Sequence, residues 1–421
     1  MSVSRKAAFA AMGLSAATVF AMTANAATAA PSPAATTKQV ACPASPGVDN
    51  GTVKVGLVTI RTGPAASTQA GFYEAAKLRI DQENAKGGVN GRKLVLSLYD
   101  DAGSGATQSV VAQKAISQDG VFGILEGTTA DTMFPYLKQN NVPVVGLTNL
   151  PVHNTDRNVF GATGAFTNVY SATYGAKRLL DTGAKTIAVI NHNSPGANSA
   201  GAAFGPQLVA EGSSQALRIA DAPIGAYDAT STALKLKNAG ADAAYIILTP
   251  DGGVSVMSAL KQQNVPIKGA IIAGLSDPAI VAKAPAALEG AIGATYGNVA
   301  IGVPGKPGLR TFTNGMKAAG LNPYAPGAPI GFIAADTFIK GLKLAGKCPT
   351  RQGFIDQLRN QTKITGAGLI PEPISYKPGL YPNGNPARCS WYMTVKNGQL
   401  VPDAKATCGK FIENATGKVV G

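Results

Sequence analysis

Histidine is nearly absent from this chain: His153 and His192 are the only two in 421 residues. A serine hydrolase needs a base, usually histidine, held by a third group. Neither histidine is accompanied by a Gly-x-Ser-x-Gly nucleophile elbow. There is no P-loop, and no Gly-x-Gly-x-x-Gly follows the first expected strand, so no nucleotide cofactor is implied. The four cysteines, Cys42, Cys348, Cys389 and Cys408, form no Cys-x-x-Cys pair and no Cys/His cluster, which argues against a metal site. Only 6% of residues are aromatic, and no Lys/Arg run exceeds two residues. The net charge of +14 therefore reads as a basic surface that steers anions, and nucleic acid is not an expected partner. No cofactor is expected.

Apolar residues make up 45% of the chain and charged ones 14%, which excludes a disordered protein. The length suits two or three domains, each with its own core. Fifty Gly and 27 Pro occur without a period, so they mark turns and not collagen.

Arg5-Lys6 precedes an uncharged, Ala-rich run from Ala7 to Met22, and Ala24 and Ala26 follow as an A-x-A site. A charged start, a short apolar centre and small residues at the exit are the parts of a secretory signal. The run is shorter than the ~20 residues of a membrane span. Residues 1–26 are thus expected to be a signal peptide cut near Ala26, with export to the periplasm or envelope space of a bacterium. Residues 27–51 are expected to be a flexible lead-in. Cys42 does not directly follow the apolar run, so a lipid-modified cysteine is not expected. An even cysteine count in an exported chain suggests disulfides. Three pairings are open. The hairpin signal Asn397-Gly398 favours Cys389–Cys408, leaving Cys42–Cys348, with free buried thiols as the alternative.

Between these ends, strands and helices alternate. Strands are expected at Val53–Ile60, Leu94–Leu98, Val121–Leu125 and Val142–Leu147. Helices are expected after Phe72, at Ala106–Ser117 and at Asp131–Asn140. The pattern restarts with helices near Asn168–Asp181, Asn198–Glu211, Thr230–Ala239 and Gly253–Gln263. The strands between and after them fall at Thr186–Asn191, Ala216–Ala220, Ala243–Thr249, Ile267–Ala273 and Ala291–Tyr296. This order predicts an α/β protein with parallel sheets flanked by helices. Three more helices, near Leu309–Ala319, Ile330–Ala345 and Arg351–Asn360, precede a Pro- and Gly-rich tail.

Four segments carry a resemblance. They are Val53–Pro64, a strand running into Thr-Gly-Pro; Ala76–Gly91, a helix ending in Asn-Ala-Lys-Gly-Gly-Val-Asn-Gly; Leu98-Tyr-Asp-Asp101; and Lys138-Gln-Asn-Asn-Val-Pro-Val-Val145. Together they resemble the Leu/Ile/Val-binding type of bacterial solute-binding protein, the extracytoplasmic receptor of an ABC importer. The resemblance covers most of residues 52–365. It implies a two-lobed type I periplasmic-binding fold with a ligand cleft between the lobes. The first lobe would comprise 52–166 and 299–378, and the second 167–298 and 379–421.

In such a fold the ligand sits beyond the carboxyl ends of the strands. The resemblance places a ligand carboxylate near Thr128, Thr129, Thr148, Asn149 and Leu150, with Thr68 as a further candidate. Hydroxyls, backbone N–H groups and helix starts suit an anion there. In the second lobe it points to Pro195, Thr249, Asp251 and Ser276. Amino-acid-binding members present aromatic rings and an acid for the ammonium group in these loops. Here Pro195 replaces the aromatic before Gly196, the 249–252 loop has no Tyr, and the acidic position near Ser276 is vacant. The implied function is a non-catalytic, monomeric receptor. It delivers a small amino acid, amide or carboxylate to a membrane permease by lobe closure. A ligand sensor of the same fold and a secreted α/β hydrolase using His192 are the alternatives.

Overall fold

The computed structural model describes residues 42–163, 169–225, 227–379, 383–385 and 387–420. The signal-peptide assignment to residues 1–26 lies outside them.

The first sheet consists of β1 (Thr52–Thr59), β2 (Lys93–Asp100), β3 (Gly123–Gly127), β4 (Val144–Gly146) and β5 (Val159–Gly161). All pair in parallel, in the order 2-1-3-4-5. β6 (Tyr170–Ala172) leads into the second set: β7 (Thr186–His192), β8 (Ser214–Ala222), β9 (Ala243–Ile247), β10 (Gly269–Ala273) and β11 (Ile292–Ala294). These repeat the same order as 8-7-9-10-11. Parallel neighbours need crossovers, and helices supply them. In the first lobe these are α1 (Phe72–Ala85), α2 (Gly105–Gln113), α3 (Phe134–Gln139) and α4 (Val152–Thr155). In the second they are α5 (Tyr174–Leu180), α6 (Pro195–Ala210), α7 (Ala229–Asn238), α8 (Pro250–Gln262), α9 (Pro278–Val281) and α10 (Pro285–Leu288).

Three further helices follow: α11 (Pro307–Ala318), α12 (Ala328–Leu344) and α13 (Arg351–Arg359). They return to the first sheet. Phe332, Ile333, Phe338 and Phe354 share one core with Val55, Leu57, Phe72 and Phe122. The tail adds β12 (Cys389–Ser390), β13 (Tyr392–Lys396), β14 (Gln399–Pro402), β15 (Thr407–Cys408), β16 (Phe411–Glu413) and β17 (Lys418–Val419). The β13–β14 hairpin extends the second sheet by antiparallel pairing to β11. Its two-residue turn is Asn397-Gly398, both at positive φ (51° and 69°), the conformation this dipeptide favours. β12 and β15 set Cys389 directly opposite Cys408, and these two are bonded, as are Cys42 and Cys348.

Three local expectations change. β5 is a three-residue strand with no period to reveal it. The segment expected as a helix from Asn168 begins, where described, as β6, because β16 pairs with it from the far end of the chain. Residues 42–51, expected within a flexible lead-in, lie against the first lobe. Cys42 is tied to Cys348, the Gly47 carbonyl accepts from Lys54 N at 2.8 Å, and the Asp49 carboxylate accepts from the Gly51 and Thr52 amides.

Arg359 shows how α13 is fixed. Its side chain is buried with no acid beside it. It donates to the carbonyls of Arg157 (2.8 Å), Asn383 (3.0 Å), Asp156 (3.3 Å) and Val159 (2.5 Å), and lies 4.0 Å over the Phe160 ring. A single cation therefore satisfies four carbonyls around the β5 edge. Arg359→Leu strands them, and we expect it to cost about 3 kcal/mol in urea unfolding. A loss below about 1 kcal/mol contradicts this assignment.

Candidate functional site

The carboxyl ends of both sheets face one cavity of about 150 Å³. From the first lobe it is lined by Thr68 and Gln69 after β1, Thr129 after β3, Thr148 and Asn149 after β4, and Thr163 after β5. From the second lobe come His192 at the end of β7, Ser194 and Gly196 at the start of α6, Ile224 after β8, and Tyr245 and Ile247 on β9. Tyr174 opens α5, Tyr296 follows β11 and Tyr392 opens β13, and all three also line it.

Of the residues singled out in the sequence, Thr68, Thr129, Thr148 and Asn149 line this cavity, and the others lie elsewhere. Thr128 is buried behind the β3 loop and donates its hydroxyl to Asp101. Leu150 belongs to the core against Phe134 and Val144. Pro195 is the first residue of α6 and borders a separate surface groove. Thr249 caps α8 by accepting from Gly252 N at 3.2 Å. Asp251 is exposed and pairs with Lys283 at 2.7 Å. Ser276 donates to the Tyr324 carbonyl at 2.9 Å and borders a smaller adjoining pocket.

Sequence reasoning missed the four tyrosines. Each sits in or beside a regular element and reads there as a core residue. Their one sequence signal is position, three of them at a strand or helix end. Burial pushes all four phenols up, Tyr245 to about 12, so they are neutral donors at any ordinary pH. Among the described residues none of the four hydroxyls has a hydrogen-bond partner.

His192, the last residue of β7, is 7% exposed and lines the cavity. Its Nδ1 lies 3.2 Å from the Ala222 carbonyl and its Nε2 accepts from Thr249 N at 2.8 Å. That pattern is the neutral tautomer with both nitrogens used. Burial lowers its pKa, which keeps it uncharged. His153 is also used twice, by the Leu150 carbonyl (3.0 Å) and Glu126 (3.2 Å), and is buried in the first lobe.

The loop carrying Thr129 rests on buried polar groups. Glu126 Oε2 accepts from Thr128 N at 3.2 Å, and Gln108 donates to the Ala130 carbonyl at 3.0 Å and to Asp101 at 3.3 Å. Among the described residues the Thr129 N–H has no protein partner, and the Thr148 N–H after β4 has none either. Two amides and the neighbouring threonine hydroxyls thus form a neutral set of donors in the first lobe.

The lobes meet at α6. Gly196 N donates to the Thr129 carbonyl at 3.2 Å. A Cβ at Gly196 would lie 2.6 Å from Asn149 Nδ2 and 3.6 Å from Thr129 Cα. The remaining first-turn donors of α6 are also used, Ala197 N by the Ser194 hydroxyl and Asn198 N by the Ser194 carbonyl.

This two-lobed geometry can be compared with known proteins. A profile described as periplasmic binding protein matches residues 52–399. The chain belongs to the periplasmic binding protein family. Among curated relatives of this periplasmic binding protein, the Leu/Ile/Val-binding protein BraC3 of Rhizobium johnstonii is 28% identical over 48% of the chain and 56% of its own length. The Leu/Ile/Val-binding protein homolog 3 of Brucella melitensis is 30% identical over 46% of the chain and 53% of its own length. The chain spans about half the length of the curated relatives it matches. A fatty acid ABC transporter substrate-binding protein from Thermomonospora curvata superimposes with a TM-score of 0.72 at 18% identity, over 90% of this chain and 97% of that one. That likeness shows the type I periplasmic-binding fold. Among the described residues no helix is long and apolar enough to cross a membrane.

Two predictions follow from the loop and the seam. Burial raises the carboxyl pKa of Glu126, against the opposing pull of His153. A raised folded-state pKa stabilises below the ordinary glutamate range, and that contribution is lost as pH climbs through the folded value. Glu126→Gln keeps an acceptor for Thr128 N and cannot ionise. Its melting temperature should therefore gain on the parent's as pH rises from about 4 to 7; a constant offset contradicts this. Gly196→Ala should leave unliganded stability unchanged or raised, since alanine favours a helix. It should weaken ligand binding at least tenfold by wedging the seam; unchanged affinity in calorimetry means the seam does not close on ligand.

Proposed function

We propose that this chain is an exported, non-catalytic receptor that binds a small organic ligand between its lobes and presents the closed form to an ABC permease. One observation carries the proposal. A cavity at the carboxyl ends of two sheets is closed over by a direct interlobe hydrogen bond, Gly196 to Thr129. A ligand that touches both lobes stabilises that arrangement by its differential contacts, which is the required coupling between binding and shape. The amides of Thr129 and Thr148, unpartnered among the described residues, are suited with their hydroxyls to a carboxylate, whereas the Thr68 hydroxyl already donates to the Ala65 carbonyl at 2.7 Å. The relatives named for Leu/Ile/Val and for fatty acid agree with a ligand bearing that group.

The bonding of His192 speaks against the hydrolase alternative. A hydrolase using His192 as its base needs a free ring nitrogen there, and both nitrogens of His192 are already bonded. Export with cleavage near Ala26, the lobe boundaries at about residues 166, 298 and 378, and a monomeric state belong to the same proposal.

The test is a thermal-shift and calorimetry screen of the chain from Ala27 against amino acids, small amides and carboxylates. A binder raises the melting temperature by mass action. We expect a raised midpoint with one class, no consumption of the compound, and a smaller radius of gyration in solution scattering. Thr129→Ala and Thr148→Ala should each weaken that ligand about tenfold, as loss of a hydrogen bond to a charged group worth ~1.5 kcal/mol implies. Conversion of the compound, or no shift across the panel, defeats the receptor reading.

A further inference from the structure

The cavity carries no formal charge. Among the described residues its lining contains no Asp, Glu, Lys or Arg, and His192 is neutral. The acids that come nearest in sequence are committed elsewhere. Asp251 pairs with Lys283 at 2.7 Å, and Asp277 accepts from Ala279 N at 2.9 Å and from Asn322 at 2.6 Å. Glu126 is buried behind the β3 loop with His153, and Asp131 borders a separate groove. An α-ammonium group in this cavity would meet neutral groups only: phenol hydroxyls, aliphatic side chains and the amide oxygens of Gln69 and Asn149, with no anion among them. Burying an ammonium without an anion is strongly unfavourable.

A carboxylate is treated differently by the same walls. It needs only donors, and among the described residues the cavity offers two unpartnered amides, the Thr129 and Thr148 hydroxyls, and four phenols without hydrogen-bond partners. Neutral dipoles of this kind can hold an anion, as in oxyanion sites. The net charge, +14 for the full chain and +12 from Ala27 without Arg5 and Lys6, adds a long-range potential of the favourable sign. Much of the rest of the lining is aromatic and aliphatic, with Tyr174, Tyr245 and Tyr392 together with Ile224 and Ile247. A cavity of about 150 Å³ is the size that takes a benzene-like ring.

Building on the receptor reading, we infer that the ligand is a ring-bearing carboxylic acid with no amine, and that the cavity rejects α-amino acids. The acid end lies against the first-lobe amides and hydroxyls, and the ring lies among the tyrosines.

Pairs of compounds that differ only by the amine test this directly. The pairs are 3-phenylpropanoate with L-phenylalanine, and cyclohexanecarboxylate with 1-aminocyclohexanecarboxylate, titrated into the chain from Ala27 by calorimetry. 3-Phenylpropanamide is the uncharged arm. We expect at least one acid to bind 30-fold or more tighter than its amino partner, and tighter than the amide. Equal or tighter binding of the amino partner overturns the inference and leaves a receptor in place. Equal binding of the amide overturns the carboxylate. If neither member of either pair binds at millimolar concentration, the inference fails. The broader panel then judges the receptor reading by itself.

Discussion

The seam between Gly196 and Thr129 is the constraint on which the site depends. It is a backbone contact, 3.2 Å from amide to carbonyl, and it exists because residue 196 has no side chain. Any Cβ there would push into Asn149, whose amide in turn holds the Thr128 carbonyl at 3.2 Å. The first turn of α6 is thereby committed to the opposite lobe and to its own Ser194 cap. It is not left open to a ligand anion. The donors that remain for a ligand are consequently those of the first-lobe loops and the tyrosines.

Those loops are held from behind. Asp101, Gln108, Glu126, Thr128 and His153 form a buried polar layer under the β3 and β4 ends, with each group engaged by at least one other. A half-satisfied layer would be costly in a low dielectric, whereas a connected one is rigid. Its consequence at the surface of the cavity is a pair of amides, Thr129 and Thr148, that among the described residues are still free to donate. The threonine at 128 supports the one at 129, and the two have different tasks despite being adjacent.

The second lobe supplies shape and not charge. Four phenols from α5, β9, the end of β11 and the start of β13 surround an apolar space, and burial keeps them protonated. Hydrophobic walls with a few placed donors select a ligand by what they cannot tolerate, here an unpaired ammonium, as much as by what they bind.

Strand and helix order, the hairpin at Asn397-Gly398, and the family resemblance in Ala76–Gly91 and Leu98–Asp101 were legible because each is written locally, in periodicity or turn chemistry. So were the loops after β1, β3 and β4, since ligand loops follow strand ends in this class of sheet. The three-residue strands β5 and β6 were not legible, because their identity comes from partners and not from their own pattern; β6 pairs with Phe411–Glu413. Nor were the tyrosines, which gather from four separate elements only when the tail hairpin adds to the second sheet. The sequence by itself determined the α/β alternation and the scarcity of charge and histidine. The tertiary structure alone decided which of the many uncharged residues share one cavity, because side chains distant in sequence become neighbours only through strand order and lobe contact.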